Sequence, residues 1–157
     1  MTRALDILHK AVAKSVTIST AESCTGGMVA AFLTDAPGSS AVFDRGFVTY
    51  TNAAKVDLLG VRPETLDAHG AVSEETAREM ATGARRNAGT DLAVSITGIA
   101  GPGGSEHKPE GRVCFAIATK SGTHSETIEF GPKGRHAVRL ASRDHAISML
   151  LAALLKL

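Results

Sequence analysis

Hydrophobic residues recur along this chain with two different spacings, and each spacing predicts a different kind of element. Helical spacing, together with residues that begin or end helices, predicts helices over residues 3–14, 28–34, 53–59, 74–87 and 135–157. Runs rich in β-branched residues predict strands over residues 16–20, 42–50, 92–97, 111–119 and 124–130. The stretch 61–72 fits neither spacing, and we expect a connecting loop there with a short turn after Pro63.

The order of these elements indicates an α/β protein. Helices alternate with strands in the first part of the chain, whereas a Ser121-Gly122 turn joins the last two strands and predicts an antiparallel hairpin. We therefore expect a three-layer α/β/α sandwich around a mixed sheet of about five strands. A length of 157 residues suits one continuous core, so residues 1–157 are predicted to form a single domain.

The charge balance argues against a nucleic-acid or membrane partner. The chain has 17 Lys and Arg against 16 Asp and Glu, a formal net charge of +1 that gives no bulk attraction to polyanions. No Trp, one Tyr and five Phe are too few for a base-stacking platform. We expect a small-molecule substrate, no nucleic acid and no membrane as partner, and the apolar helices leave room for a homo-oligomer.

Cysteine usage and the N-terminal residues predict a cytoplasmic protein without a metal site. Cys24 and Cys114 lie on separate elements, with no Cys-x-x-Cys and no Cys/His cluster at zinc spacing, so we interpret them as reduced thiols. Charges interrupt what would be the apolar part of a signal peptide. No run approaches the ~20 apolar residues of a membrane span.

The stretch 16–28 gives the strongest indication of chemistry. Its β-branched run ends in small polar residues and a helix begins at Met28, which predicts a strand, a tight turn and a helix start. Ser23 and Cys24 would lie at the carboxyl end of that strand, beside amides that the first helical turn leaves unpaired. Both are candidate nucleophiles, since a thiol at a helix start would have a lowered pKa.

Two loops rich in Gly, Ser and Thr, 20–27 and 97–105, each follow a predicted strand. Open α/β sheets bind ligands at the carboxyl edge of their strands, so the two loops are candidates for one pocket. For one loop alone, tight turns explain the glycines equally well. The glycines complete neither the P-loop nor the dinucleotide pattern, and the scattered histidines do not support a Ser-His-Asp triad.

A serine nucleophile without a histidine requires another base, and a lysine held neutral is the known substitute. Lys55 is the candidate, in the first turn of a short helix that Asn52 is predicted to cap, just after the strand ending at Tyr50. Its pKa would have to fall from about 10.4 to roughly 7–8. The opposing interpretation is a solvated surface lysine. Glu22, beside the nucleophile, would bind a substrate group or accept backbone hydrogen bonds.

Four segments in order along most of the chain match one pattern. They are Thr20-Ala-Glu-Ser-Cys-Thr-Gly-Gly27, Phe47-Val-Thr-Tyr-Thr-Asn-x-x-Lys55 with Leu59-Gly-Val61, Gly70-Ala-Val-Ser-Glu74, and Ile96-Thr-Gly-Ile-Ala-Gly-Pro102 with Lys108-Pro109 and Gly111. Together they resemble the CinA C-terminal family. The resemblance implies nicotinamide-nucleotide amidase activity, without a cofactor: the carboxamide of nicotinamide mononucleotide is hydrolysed to nicotinate mononucleotide and ammonia, which feeds pyridine-nucleotide salvage.

The same resemblance implies a role for each matching residue. Ser23 would be the nucleophile, Lys55 its base and Tyr50 a supporting hydroxyl. Backbone amides from Cys24 to Gly26 would hold the oxyanion. The other residues predicted to bind the substrate, some of them on its nucleotide side, are Glu22, Thr25, Thr97, Gly98, Ala100, Gly101 and Arg112.

Two departures from the family pattern bear on these expectations. The loop after Pro102 is one residue shorter than the usual Gly-Pro-x-Gly-Gly-x-x-x-Lys-Pro, which puts its ligand contacts and the substrate preference in question. Two-domain members also carry an N-terminal molybdopterin-binding-like domain, so we expect this chain to be the stand-alone amidase form. The alternative function is a catalytically silent nucleotide-binding or interaction module linked to competence and DNA damage.

Overall fold

The computed structural model describes residues 2–157, and these contain one five-stranded sheet. Its strands are β1 (Ile18–Glu22), β2 (Phe43–Val48), β3 (Leu92–Gly98), β4 (Arg112–Thr119) and β5 (Gly122–Glu129), in the spatial order β2-β1-β3-β4-β5. β2, β1 and β3 run parallel, β4 is antiparallel to β3, and β5 is antiparallel to β4. The prediction of a mixed sheet of about five strands is confirmed.

Helices cover both faces of this sheet. They are α1 (Thr2–Lys14), α2 (Met28–Thr34), α3 (Asn52–Leu59), α4 (Pro63–His69), α5 (Glu74–Ala88) and α6 (Arg135–Lys156). α1, α2 and α6 pack together on one face, whereas α5 lies on the other with α3 and α4 against it. The predicted three-layer sandwich is confirmed. Between residues 2 and 157, no helix is long and apolar enough to cross a membrane.

Alternation of side chains along the strands divides the core in two. Val94 and Ile96 of β3 and Phe115 of β4 pack against α1, α2 and α6 in the larger cluster. The intervening positions, such as Ala93 and Ala116, face α5. Because the side chains on this second face are small, α5 can lie close to the sheet.

Gly83 on α5 fixes the position of α3. A Cβ at Gly83 would collide with the carbonyl oxygen of Leu59, the last residue of α3. The end of α3 therefore packs directly on the backbone of α5. This contact matters for the site because α3 also carries Lys55.

The prediction of a loop over residues 61–72 is wrong, since Pro63–His69 forms helix α4. Pro63 at the first helical position and Glu64 in the first turn are helix start signals. A helix of seven residues makes fewer than two turns after such a start. So short a segment contains too few hydrophobic positions for their spacing to distinguish a helix from a loop.

The cap of α3 and the bounds of β1, the strand that precedes Ser23, also differ from expectation. Thr51, not Asn52, caps α3, because the Thr51 hydroxyl accepts a 3.1 Å hydrogen bond from the Ala54 amide. β1 spans Ile18–Glu22, two residues later at each end than predicted. The final residues of β1 are small or polar yet buried, so hydrophobicity underestimates where the strand ends.

The carboxyl ends of β1, β2 and β3 meet at one edge of the sheet. Backbone pairing continues just past the strands: the Thr49 amide donates to the Glu22 carbonyl at 2.9 Å, and the Ser23 amide to the Ile96 carbonyl at 2.9 Å. Ser23 and Thr49 are thus held next to each other. This edge is where open α/β sheets place their ligand sites.

Candidate active site

A pocket of about 350 Å³ lies at the carboxyl edge of the parallel strands. Its wall includes eight of the residues predicted from sequence: Ser23, Cys24, Tyr50, Lys55, Thr97, Gly98, Ala100 and Gly101. The two glycine-rich loops thus line one pocket, as the sequence predicted. A second cavity of about 380 Å³ between β5 and the end of α6 shares none of these residues.

Ser23 and Lys55 are in direct contact at the base of the pocket. The Lys55 ammonium nitrogen, Nζ, lies 3.0 Å from Ser23 Oγ. It also lies 3.0 Å from the carbonyl oxygen of Thr49 and 3.3 Å from that of Tyr50. Lys55 is only 1% exposed, which excludes the interpretation of a solvated surface lysine.

Burial lowers the pKa of Lys55, and the charge of Glu106 opposes that shift only in part. A neutral lysine amine has two N–H donors and one lone pair. The carbonyls of Thr49 and Tyr50 can accept the two N–H groups, which leaves the lone pair for the Ser23 hydroxyl. This arrangement can remove the serine proton, because the nearest acceptor to Ser23 Oγ is then the amine.

Cys24 is poorly suited to act as the nucleophile. Its side chain is only 4% exposed and packs in the larger core cluster. Burial raises the pKa of the Cys24 thiol to about 12, so the thiol stays protonated at neutral pH. The expected lowering at a helix start is outweighed by this loss of hydration, and the geometry favours Ser23.

In the turn after β1, two of the three amides predicted to hold an oxyanion remain available. The Gly26 amide donates to the Ser23 carbonyl at 3.0 Å, so it is not free to hold an oxyanion. Within the described residues, no carbonyl of another residue accepts a hydrogen bond from the amides of Cys24 and Thr25. The oxyanion site predicted over Cys24 to Gly26 is therefore narrowed to the first two.

Arg139 on α6 holds this turn from outside the pocket. Its Nε donates to the Cys24 carbonyl at 3.0 Å, and its Nη2 lies 3.4 Å from the Thr25 carbonyl. In a trans peptide, the C=O of Cys24 and the N–H of Thr25 point in opposite directions. Fixing the carbonyl therefore also fixes the direction of the Thr25 amide.

Glu22 lies next to Ser23 in sequence but does not line the pocket. Its carboxylate accepts hydrogen bonds from the Val29 amide at 3.0 Å and the Ala30 amide at 3.1 Å, at the start of α2. The Thr25 hydroxyl donates to it at 2.6 Å. Of the two roles expected for Glu22, the geometry favours acceptance of backbone hydrogen bonds, because alternation along β1 turns it toward α2.

Thr25 and Gly26 likewise lie outside the pocket wall, contrary to their predicted role in substrate binding. The Thr25 hydroxyl is used by Glu22, and Gly26 adopts a φ of +59° that lets the chain turn from β1 into α2. These two residues determine the conformation of the turn that follows Ser23, and they do not line the pocket.

Arg112 does not reach the pocket, and its predicted place there is wrong. Its Nε donates to Glu129 Oε1 at 2.6 Å, directly across from it on the neighbouring strand. The arginine that does line the pocket is Arg135, at the start of α6. Sequence analysis missed Arg135, although Arg135, like Lys55, is a cation in the first turn of a helix, where a positive charge is unfavourable.

Arg135 and Tyr50 meet at the mouth of the pocket. Arg135 Nη2 donates to the Tyr50 hydroxyl at 2.6 Å, and Nη1 donates to the Gly101 carbonyl at 2.7 Å. Tyr50 is 55% exposed, and its carbonyl, not its hydroxyl, contacts Lys55. The supporting hydroxyl predicted at Tyr50 is thus directed to the mouth, away from the serine–lysine pair.

The second glycine-rich loop forms the opposite wall of the pocket. The Thr97 hydroxyl donates to the Ala71 carbonyl at 2.8 Å, which joins this wall to the segment before α5. Gly98 lies against Val113, where a Cβ would not fit without displacing that side chain. From residue 2 to residue 157, no cluster of His, Cys, Asp and Glu could hold a metal ion.

Comparison with known proteins relates this geometry to one family. The family model described as the CinA C-terminal domain matches residues 2–154. Nicotinamide-nucleotide amidohydrolase PncC of Escherichia coli K12 is 55% identical over 139 residues, which cover 88% of this chain and 84% of that protein. A CinA-like protein of Shewanella denitrificans is 53% identical over 139 residues, 88% of this chain but 33% of that protein. The chain spans about a third of the length of such CinA-like relatives.

Solved structures agree with the sequence comparison. Competence/damage inducible protein CihA from Agrobacterium tumefaciens superposes with a TM-score of 0.93 at 48% identity, covering 96% of this chain and 93% of that chain. The CinA superfamily protein KP700603 from Klebsiella pneumoniae gives a TM-score of 0.95 at 36% identity, covering 99% and 98%. The fold is therefore shared over nearly the whole of each chain.

Proposed function

Because the chain belongs to the CinA C-terminal domain family, we propose that it is an amidase that hydrolyses nicotinamide mononucleotide to nicotinate mononucleotide and ammonia. The observation that supports this most strongly is the buried Lys55 amine 3.0 Å from Ser23 Oγ. The similarity to the E. coli nicotinamide-nucleotide amidohydrolase supplies the substrate. Such an activity would serve pyridine-nucleotide salvage.

Acylation begins with a proton transfer between the paired side chains. Neutral Lys55 takes the Ser23 proton as Oγ attacks the carboxamide carbon, and the amides of Cys24 and Thr25 stabilise the oxyanion that forms. The Lys55 ammonium then gives its proton to the leaving nitrogen. The C–N bond breaks, ammonia departs, and the nicotinoyl group remains as an ester on Ser23.

Deacylation repeats the same steps with water. Lys55 removes a proton from the water that attacks the ester, and it returns that proton to Ser23 as the ester bond breaks. The carbonyls of Thr49 and Tyr50 accept hydrogen bonds from the lysine whether it is neutral or charged. They therefore stabilise the ammonium form at the moment it is needed, and no step requires a cofactor.

The nucleotide side of the substrate would lie at the mouth of the pocket. Arg135 is a cation held there by two neutral partners, the Tyr50 hydroxyl and the Gly101 carbonyl. A 5′-phosphate would replace these partners with charge-assisted hydrogen bonds, which are stronger. The Ile99 amide is used by the Arg112 carbonyl at 2.9 Å, so the amides of Ala100 and Gly101 would complete the phosphate site, where glycine allows a ligand to approach the backbone closely.

Substitution of the nucleophile tests the proposal directly. We expect Ser23→Ala to reduce ammonia release from nicotinamide mononucleotide by at least about 10³-fold, since Lys55 then has no hydroxyl to deprotonate. Cys24→Ala is the matched control in the next residue and should keep most of the activity. Full activity in Ser23→Ala, or loss confined to Cys24→Ala, would contradict the assignment. Nucleotide binding without turnover by the unmodified protein would favour the catalytically silent module instead.

A further inference from the structure

A strained two-residue turn lies at the rim of the pocket. Ser105 and Lys108 pair in both directions, with amide-to-carbonyl distances of 3.0 and 2.8 Å. Between them, Glu106 and His107 have φ values of +53° and +62°. Tight hairpin turns with two positive φ values favour Asn-Gly, and a glutamate there is strained. Residues kept in such conformations often have a functional role, so Glu106 is a candidate for one.

Glu106 belongs to the pocket wall, and contacts with the segment between α4 and α5 hold the turn that carries it. Lys108 Nζ donates to the carbonyls of His69 and Val72, each at 2.6 Å, and lies 4.0 Å from Glu106 Oε2. Gly70 leaves the space that the Glu106 carboxylate occupies, because a Cβ there would collide with it. The backbone between α4 and α5 thus accommodates this one carboxylate.

The charge of Glu106 is unusual for a pocket that would bind a phosphate. Among the described residues of the pocket wall, Glu106 is the single carboxylate, whereas Lys55 and Arg135 are basic. A carboxylate near an anionic substrate lowers affinity unless the substrate also carries a positive charge. Nicotinamide mononucleotide does so, since its ribosylated ring nitrogen is a permanent cation.

We propose that Glu106 is a specificity-determining residue, whose carboxylate faces the positively charged ring of a substrate while Arg135 holds its phosphate. It therefore selects N-ribosylated pyridinium carboxamides over neutral rings of the same shape. This role rests on the proposed function, because the carboxamide must lie at Ser23 for the ring to lie between Glu106 and Arg135. The effect of Glu106 on the pKa of Lys55 is consistent with a carboxylate that acts within the pocket.

Two substrates that differ in ring charge test this assignment. Nicotinamide mononucleotide has the cationic ring, and benzamide riboside 5′-phosphate has a neutral benzene ring with the same carboxamide and sugar phosphate. The ratio of their kcat/KM values is compared in the unmodified protein, in Glu106→Gln, and in Glu64→Gln, which removes an exposed carboxylate of α4 outside the pocket. Any intrinsic difference in carboxamide reactivity cancels in this comparison.

We expect the ratio to fall by about tenfold in Glu106→Gln through a higher KM for the cationic substrate, and to stay unchanged in Glu64→Gln. Glu106→Gly separates recognition from folding. Glycine adopts positive φ without strain, so this variant should have an equal or higher Tm and still lose the preference. An unchanged ratio would overturn the proposal, and if kcat/KM fell equally for both substrates, Glu106 would be assigned a contact to the ribose instead.

Dissociation constants measured on Ser23→Ala protein distinguish this proposal from the proposed function. Suppose that the unmodified protein turns over neither substrate, but that adding Glu106→Gln to the Ser23→Ala protein weakens binding of the cationic compound alone. The amidase function then fails, and the role of Glu106 in binding stands. If neither compound binds, both fail.

Discussion

Lys55 and Arg135 are both basic residues near the start of a helix at the same pocket, yet their surroundings give them opposite properties. Lys55 of α3 is buried, and its partners are two carbonyls and a serine hydroxyl. Arg135 of α6 lies at the exposed mouth and contacts a tyrosine hydroxyl and a carbonyl. Burial lowers the pKa of the lysine, whereas a guanidinium stays charged at any physiological pH.

This difference suggests a division of labour within the pocket. A base must lose its proton near neutral pH, which a buried lysine can do and an arginine cannot. A residue that binds phosphate must keep its charge and offer several donors in a plane, which suits arginine. The position of each cation along the depth of the pocket therefore corresponds to the chemistry its side chain allows.

The largest effect is expected from changing the buried cation. Lys55→Arg keeps a positive charge but cannot supply a neutral amine, so we expect kcat to fall by about 10³-fold, as in Lys55→Met. Steady-state assays of ammonia release would measure both variants. If Lys55→Arg kept substantial activity, a charge near Ser23 would be enough, and the distinction between the two cations would be lost.

A smaller effect, on a different kinetic constant, is expected at the mouth. Arg135→Ala should raise KM for nicotinamide mononucleotide by about 10–100-fold through lost charge-assisted hydrogen bonds, with a smaller change in kcat. Arg112→Ala is the matched control, because Arg112 pairs with Glu129 away from the pocket. It should leave KM within about twofold. A larger KM effect in Arg112→Ala than in Arg135→Ala would reverse our placement of the phosphate.

The sequence was most informative where local pattern and chemistry coincide. The strand and turn around Ser23, and the helix that begins before Lys55, are encoded by neighbouring residues, so their juxtaposition at one sheet edge follows from parallel β1 and β2. The fold class was predictable for the same reason. Because the end of β1 consists of small and polar residues, the predicted bounds of that strand were wrong, although its existence was predicted correctly.

What the sequence did not reveal depends on contacts between distant residues. Arg135 reaches Tyr50 and Gly101 across 85 and 34 positions of the chain, and no local pattern indicates this. Arg112 was misplaced because its partner depends on the register between β4 and β5. The role of Glu22 stayed open because its two alternatives, substrate binding and acceptance of backbone hydrogen bonds, differ only in the face of the sheet toward which its side chain points.

The protonation of Lys55 is the most direct test of the mechanism. With ¹³C-labelled lysine, the Lys55 Cε resonance, assigned by its absence in Lys55→Arg, can be followed by NMR as pH is raised. We predict a titration midpoint below the ordinary lysine pKa of 10.5, because burial disfavours the ammonium, and a rise in kcat/KM as pH passes through that midpoint. A midpoint at or above 10.5 would contradict the role of Lys55 as a neutral base for Ser23.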